Sequence, residues 1–329
     1  MSLRTPLCEL VGIELPIVQA PISYAPEHAA AVSSAGGLGL IQLSWLELER
    51  AREVIRETRR LTERPFGVNL VLEWPQDERL ELSLEEGVRI VSFFWGDPAP
   101  YVGRIHDAGG LVLCTVASAT EARRVVGAGA DVVVAQGWEA GGHVWGEVAT
   151  LPLVPAVVDA VSPVPVVAAG GIADGRGLAA ALALGAAGAW VGTRFVASEE
   201  AGLDPLHKER IVAASEADTV YSRLFDVGWP DAPHRTLRNS TVRRWEEAGR
   251  PATGGRPGES ETVAAAPDGS PIVRYASSDP ELGATGDLEA LALYAGQSAG
   301  LVHEVLPARE LVRRMAAEAE RVLARLASA

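Results

Sequence analysis

The sequence predicts an α/β fold, a closed (β/α)₈ TIM barrel that carries an inserted smaller subdomain or cap. Short apolar runs alternate with amphipathic segments whose apolar residues recur every three or four positions. Continuously apolar strands that alternate with helices are typical of a parallel sheet covered by helices. Eight such runs favour a closed barrel over the alternative, an open doubly wound sheet. The runs are PIVQAP from residue 16, LGLIQL from 38, FGVNLVL from 66, IVSFFWG from 90, LVLCTV from 111, VVVAQG from 132, VPVVAAGG from 164 and AWVGTRF from 189.

The order of the predicted strands and helices divides the chain into three parts. We expect residues 1–200 to form the barrel. Residues 201–285 are polar and rich in glycine and proline, and we interpret them as an inserted cap with long loops. Residues 286–329 return to the barrel with a late loop and an amphipathic C-terminal helix, ELVRRMAAEAERVLARLASA.

Composition excludes several classes of function. A formal net charge of -14 argues against a nucleic-acid binder, and the one basic stretch, HRTLRNSTVRR, is interpreted as a solvated helix face. Cys8 and Cys114 lack the spacing of a zinc site or a disulfide framework, so we expect reduced thiols and no metal. No apolar leader and no run of about 18 apolar residues occurs, which predicts a cytoplasmic protein without a membrane contact.

Polar residues and glycines follow the strands at their carboxyl ends, which in a barrel meet at the rim where the active site lies. The most specific signal is VVAAGGIADGRGLAAALALGAAGAWVGTRF, in which Gly170 and Gly171 end one strand and Gly192 and Thr193 end the next. Glycine loops on the last two strands of a barrel favour a phosphate site, although tight turns alone would also need glycine. The pattern is neither a P-loop nor a Rossmann turn.

The segment GWEAGGH places His143 behind two glycines at the end of a strand. Histidine titrates near neutral pH, so it can take or give a proton at the rim, although a lone histidine is often structural. Of the other histidines only His303 merits a test. Glu139 either orients this loop or caps the following turn. Several aromatic residues on rim loops are candidates for a cavity wall: Tyr24, Trp95, Trp138, Trp145 and Tyr294.

Taken together, PIVQAPI, FGVNL, GWEAGGH, AAGGIADGRGLAAALALGAAGAWVGTRF and YAGQSAG resemble the FMN-dependent nitronate monooxygenase family, once called 2-nitropropane dioxygenases. The resemblance covers nearly the whole barrel, and the motifs are shared with flavin-dependent enoyl-acyl-carrier-protein reductases. It implies that His143 is the catalytic base and that Gly170, Gly171, Gly192 and Thr193 hold the FMN phosphate. The resemblance also implies flavin contacts from the other strand ends and from the late loop: Gln19, Ala20, Asn69, Gln136, Gly296, Gln297 and Ser298.

The resemblance implies a flavoprotein oxidoreductase that uses O₂ to convert a small-molecule nitronate or nitroalkane into a carbonyl compound and nitrite. One alternative is an NAD(P)H-dependent enoyl-acyl-carrier-protein reductase, and another is a non-catalytic FMN-binding protein. The reductase would need a basic docking patch, for which the candidates are Arg235, Arg238, Arg243 and Arg244. The chain reads VWGEV after GGH, where the family often has arginine and glycine, so the substrate pocket can differ and the natural substrate stays open. The use of NAD(P)H and the formation of a homodimer also stay open.

Overall fold

The computed structural model describes residues 3–328, and its centre is a closed ring of eight parallel strands. The order around the ring is β1-β9-β8-β6-β5-β4-β3-β2, and a bridge between Val18 and Leu38 joins β1 to the start of β2. All eight predicted strands and the predicted TIM barrel are confirmed. The strands up to the end of the ring are β1 (Ile17–Gln19), β2 (Gly39–Gln42), β3 (Phe66–Val71), β4 (Ile90–Phe94), β5 (Leu111–Val116), β6 (Val132–Gln136), β7 (Gly142–His143), β8 (Val166–Ala169) and β9 (Gly188–Val191). Only β7 lies outside the ring.

The described residues form twelve α-helices, most of which cover the outside of the ring and bury its outward-facing side chains. They are α1 (Pro6–Val11), α2 (Pro26–Ser34), α3 (Leu48–Leu61), α4 (Asp77–Glu85), α5 (Ala99–Asp107), α6 (Ala119–Gly127), α7 (Thr150–Val161), α8 (Gly175–Ala183), α9 (Thr193–Val196), α10 (Pro205–Val212), α11 (Ser240–Glu247) and α12 (Ala308–Ala327). Two short 3₁₀ helices occupy Leu288–Ala290 and Gln297–Leu301. The predicted C-terminal helix is α12, which packs against α8 and α2.

One end of the barrel is plugged. Leu7 and Cys8 of α1 pack against inward-facing strand residues such as Val18 and Val167. The hydroxyl of Thr5 donates to the carbonyl of Ala187, just before β9, so the plug lies at the amino ends of the strands. The carboxyl ends at the opposite face are therefore left for a binding site, as is usual in this fold.

The predicted cap region contains two small antiparallel sheets. One sheet joins β10 (Thr219–Ser222), β11 (His234–Leu237) and β7; the other joins β12 (Thr262–Ala265), β13 (Pro271–Val273) and β14 (Thr285–Gly286). The interpretation of HRTLRNSTVRR as one solvated helix face is wrong. Its first residues form β11, whose four side chains are all buried because β11 is the central strand of its sheet. The boundaries assigned to the three parts of the chain stay a prediction.

Among the described residues, every helix is too short or too polar to cross a lipid bilayer. Cys8 and Cys114 are both buried free thiols.

Candidate active site

A cavity of about 1840 Å³ opens at the carboxyl ends of the strands, between the barrel and the segments that follow β9. Nine of the residues predicted from the sequence line it: Ala20, Asn69, Gln136, His143, Gly170, Gly171, Gly192, Thr193 and Ser298. The structure thus brings together residues from five barrel strand ends, the GGH segment and the late loop.

Three predicted flavin contacts do not line this cavity. The side chain of Gln19 is fully buried, where its Oε1 accepts a hydrogen bond from the amide of Leu40 at 3.0 Å and its Nε2 donates to the carbonyl of Ala20. Gly296 and Gln297 instead lie behind the cavity wall and support the GGH segment. The amide of Gln297 donates to the carbonyl of Glu139 at 3.0 Å.

The glycine loops after β8 and β9 form part of the wall. Gly170 and Gly171 have φ angles of 101° and 74°, a backbone conformation that favours glycine. A Cβ on Gly170 would lie 3.0 Å from the carbonyl oxygen of Gly137. The hydroxyl of Thr193, after β9, accepts a hydrogen bond from the amide of Gly296 at 2.9 Å, which ties this loop to the late loop.

The GGH segment is held by strand pairing and by close backbone packing. His143 lies in β7, opposite His234 of β11, an interaction that the sequence did not predict. A Cβ on Gly141 would lie 2.3 Å from the amide nitrogen of Gly296, so the two backbones approach too closely for any side chain. The position of His143 therefore depends on both β11 and the late loop.

Glu139 joins this segment to α7. Its carboxylate accepts hydrogen bonds from the amide of Thr150 at 2.9 Å and from the Thr150 hydroxyl at 3.0 Å, at the first residue of the helix. A carboxylate at a helix amino terminus satisfies an otherwise unpaired amide and favours the helix dipole. Of the two roles considered for Glu139, the contacts correspond to the cap.

Aromatic rings surround the imidazole of His143. Trp229 stacks on it with ring centroids 4.0 Å apart and an interplanar angle of 29°, while Tyr294 lies at 5.4 Å and His234 at 5.6 Å. Nε2 of His143 is buried and has no hydrogen-bond partner among the described residues. Burial, with a smaller contribution from His234, lowers the pKa of His143 to about 3. The imidazole is consequently neutral at ordinary pH.

Four histidines, which we call the low-pKa histidines, share this shift: His28, His143, His207 and His234. Burial is the largest cause in each case, and it lowers the pKa to about 3 for His28 and to about 4 for His207 and His234. His207 also lines the cavity and contacts the Tyr294 carbonyl. His303, the other histidine singled out from the sequence, is exposed and away from the cavity.

Polar atoms without partners face the same space. Gln42 Nε2 and Gln136 Oε1 are buried, have no hydrogen-bond partner within residues 3–328, and belong to residues that line the cavity. Buried polar atoms are normally paired, so unpaired ones in a cavity wall indicate a ligand. Sequence reasoning missed Gln42, although it ends the second strand as Gln136 ends the sixth.

The nitronate monooxygenase family model matches residues 4–79 and 73–318. The chain belongs to the nitronate monooxygenase family. It is 35% identical to a nitronate monooxygenase of Pseudomonas aeruginosa, with 94% of this chain and 97% of the relative covered. It is also 40% identical to a (3aS,4S,5R,7aS)-5-hydroxy-7a-methyl-1-oxo-octahydro-1H-indene-4-carboxyl-CoA dehydrogenase of Mycobacterium tuberculosis, over 76% of this chain and 70% of the relative. Among solved structures, FabK from Thermotoga maritima superimposes with a TM-score of 0.84, 37% identity and 99% of both chains covered.

Members of this flavin-dependent family are oxidoreductases, and the residues of the cavity fit a flavin. The unpaired Nε2 of Gln42 can donate to the polar edge of a flavin ring, and the unpaired Oε1 of Gln136 can accept from it. The loop at Gly170 presents bare backbone to the cavity, because a Cβ there would lie 3.0 Å from the Gly137 carbonyl oxygen. These features suit a flavin, the cofactor on which the family depends.

More aromatic residues line the cavity than the sequence indicated. Tyr24 and Tyr294 line it as predicted, but Trp95, Trp138 and Trp145 do not; Trp138 instead packs under Arg235, whose guanidinium lies 4.4 Å from its ring centroid. Sequence reasoning missed five aromatic residues that do line the cavity: Trp45, Trp74, Phe94, Trp190 and Trp229.

The predicted basic docking patch is wrong. Arg235 is only 2% exposed and donates to the carbonyl of Trp138 at 2.9 Å, since it belongs to the central strand β11. The other arginines are each paired with a glutamate: Arg238 with Glu246, Arg243 with Glu289 and Arg244 with Glu261. These four arginines therefore do not form an uncompensated basic surface for an acidic carrier protein.

Proposed function

We propose that the protein is an FMN-dependent nitronate monooxygenase that oxidises an alkyl nitronate or nitroalkane with O₂ to a carbonyl compound and nitrite. The observation that carries the proposal is His143, whose neutral imidazole lines the cavity with a buried, unpartnered Nε2. Family membership supports the same reaction class. When bound, FMN supplies the two-electron acceptor and the centre that reacts with O₂.

The glycine loops at Gly170, Gly171, Gly192 and Thr193 would hold the FMN phosphate, and Asn69 and Gln136 would contact the rest of the cofactor. Asn69 is held in place because its Nδ2 donates to the hydroxyl of Ser92 at 3.1 Å. This bond leaves the Asn69 Oδ1 for a donor in the cavity. The assignment of FMN rests on these loops together with the family's dependence on a flavin.

His143 would act as the base that takes the α-proton of a nitroalkane. An imidazole with a pKa near 3 is a weak base, but the negative charge that forms on the substrate beside it favours the imidazolium. The stacked Trp229 fixes the ring plane and excludes water from one face. A substrate that arrives as the nitronate needs no proton transfer, and His143 then serves to orient the anion.

A second candidate is a flavin oxidoreductase that acts on a thioester. The 40% identity to a carboxyl-CoA dehydrogenase and the superposition with FabK support it. The absence of an uncompensated patch among Arg235, Arg238, Arg243 and Arg244 argues against an acyl-carrier-protein substrate. A CoA thioester is not affected by this argument.

The deciding experiment is anaerobic mixing of the purified flavoprotein with propyl-2-nitronate and, separately, with NADH and NADPH, followed by visible absorbance. Bleaching of the flavin by the nitronate alone is expected. Bleaching only by a nicotinamide would favour the second candidate, and a preparation without bound flavin that takes up none from added FMN would overturn the cofactor assignment.

The role of His143 is tested by His143→Gln, with His303→Gln as the matched control on an exposed histidine. General acid–base catalysis contributes roughly 10²- to 10⁴-fold, so we expect a loss in that range with nitroalkane substrates and a smaller loss with preformed nitronates. Equal losses with both substrate forms would contradict a role in proton abstraction. A loss of the same size in His303→Gln would show that the effect does not come from the site.

A further inference from the structure

We propose that four aromatic residues of the cavity form a subsite for a bulky apolar tail of the substrate, beside the reactive head group at His143. We call these residues the aromatic wall: Trp45, Trp74, Phe94 and Trp229. The inference rests on the proposed function for the head group, and it adds that the natural substrate is much larger than a short nitroalkane.

The aromatic wall runs without a break from His143 to the mouth of the cavity. Trp229 stacks on His143 at 4.0 Å, Trp74 packs against Trp229 at 5.1 Å, and Trp45 packs against Trp74 at 5.7 Å between ring centroids. The inner ring, Trp229, is 3% exposed, whereas the outer ring, Trp45, is 53% exposed. An elongated apolar group could therefore contact rings along its whole length, starting at the reacting carbon.

The size of the cavity also supports a large substrate. Small-molecule sites usually occupy about 300–1,000 Å³, and this cavity measures about 1840 Å³. Even with a flavin bound, a three-carbon nitronate would leave most of the wall uncovered. A larger substrate would cover it and remove apolar surface from water.

Exposed apolar side chains line the cavity as well. They include Val227 and Leu282, which are 42% and 62% exposed. Exposed apolar side chains at a cavity are typical of a ligand-binding groove. Because the apolar surface continues inward to His143, the occupant it fits best is the tail of a substrate whose head reaches the reactive centre.

The positively charged side chains of α3 that line the cavity are already paired with carboxylates, which favours an uncharged tail. Three arginines of α3 line the same cavity, and each already has a carboxylate partner: Arg50 with Glu53 at 3.0 Å, Arg56 with Glu86 at 2.9 Å, and Arg60 with Glu57. A phosphate-bearing tail would have to displace those carboxylates. An aliphatic or fused-ring tail requires no such exchange.

The test is a homologous series of linear 1-nitroalkanes, supplied as nitronates from two to eight carbons. Burial of each methylene against the wall is expected to raise kcat/KM by up to about fourfold. Trp45→Ala should lower kcat/KM for the longer chains and so flatten the series. Trp245→Ala, on α11 and away from the cavity, is the matched control and should keep the slope.

Binding of the corresponding linear carboxylates, followed by tryptophan fluorescence, gives a second readout that needs no turnover. Affinity that rises with chain length in the parent protein and in Trp245→Ala, but not in Trp45→Ala, supports the subsite. Turnover of short nitronates with a flat series in both assays overturns the subsite and leaves the proposed function standing. Turnover of none of the nitronates overturns the proposed function, and the carboxylate series then decides the subsite alone.

Discussion

The close contact between the GGH segment and the late loop makes Gly141→Ala a sensitive test of how His143 is positioned. The added Cβ would lie 2.3 Å from the Gly296 amide nitrogen and 2.4 Å from the Ala295 carbonyl carbon, and real Cβ atoms essentially never approach below 3.0 Å. Both neighbours are backbone, so neither can rotate away. The two loops must separate by at least about 0.7 Å, and His143 lies two residues from the clash.

A displacement of about 1 Å at a reacting group costs on the order of a hundredfold in rate. We expect Gly141→Ala to lower kcat by roughly ten- to a hundredfold and the free energy of unfolding by about 1–3 kcal/mol, as overpacking does. Steady-state turnover of a nitronate measures the first effect, and urea unfolding measures the second.

Two further alanine variants separate the clash from the change of residue type. The added Cβ of Gly142→Ala would meet no atom within 4 Å, but residue 142 has a φ of 72°. We therefore expect backbone strain alone to lower the free energy of unfolding by roughly 1–2 kcal/mol. Gly103→Ala lies in α5 with open space around it, and it should be neutral or stabilising by up to about 1 kcal/mol. If Gly141→Ala were as stable and as active as Gly103→Ala, the packing described for the two loops would be incorrect.

Three other predictions concern stability. Glu139→Gln removes the charge from the cap of α7 at Thr150 and should lower the free energy of unfolding, measured in urea, by about 0.5–2 kcal/mol. An unchanged free energy of unfolding would show that the charge of the cap does not stabilise the helix. Arg235→Met keeps the stem but loses the bond to the Trp138 carbonyl, so we expect a loss of about 1.5–3 kcal/mol; a more stable variant would contradict the account. The low-pKa histidines bind fewer protons in the folded state than in the unfolded state between their folded pKa values of about 3 to 4 and 6.5. Stability should therefore be lost as pH falls from about 6.5 toward 4, by at most about 1.4 kcal/mol per pH unit for each histidine. Asp279, whose pKa burial raises to about 7, has the opposite sign and offsets at most one of the four. Thermal unfolding temperatures that stay constant from pH 7 to pH 4.5 would rule out this balance.

The barrel could be predicted from the sequence because each of its strands is a local signal. A continuous apolar run such as VVVAQ predicts a strand without reference to any other part of the chain, and eight runs leave few architectures. The residues at the strand ends could also be predicted to lie together, because the carboxyl ends of parallel strands in a barrel lie at one face. Gln42 was available to that reasoning and was overlooked.

The surroundings of His143 could not be predicted in the same way. Its partners Trp229, His234 and Tyr294 lie between 86 and 151 positions further along the chain, in segments without a regular pattern. The pairing of a two-residue strand with β11 depends on tertiary contacts, and the run HRTLRNSTVRR looks solvated because its arginines are charged. The burial of Arg235 over Trp138 becomes evident only from the fold.

The pairing of β7 with β11 also has a consequence for how the molecule is assembled during synthesis. The last strand of the ring ends at Val191, whereas the strand that aligns His143 begins at His234. A nascent chain can therefore close its barrel before the partner of β7 has been made. The strand pairing at the cavity therefore forms later than the barrel, and an unfinished polypeptide would contain His143 without the β11 strand that positions it.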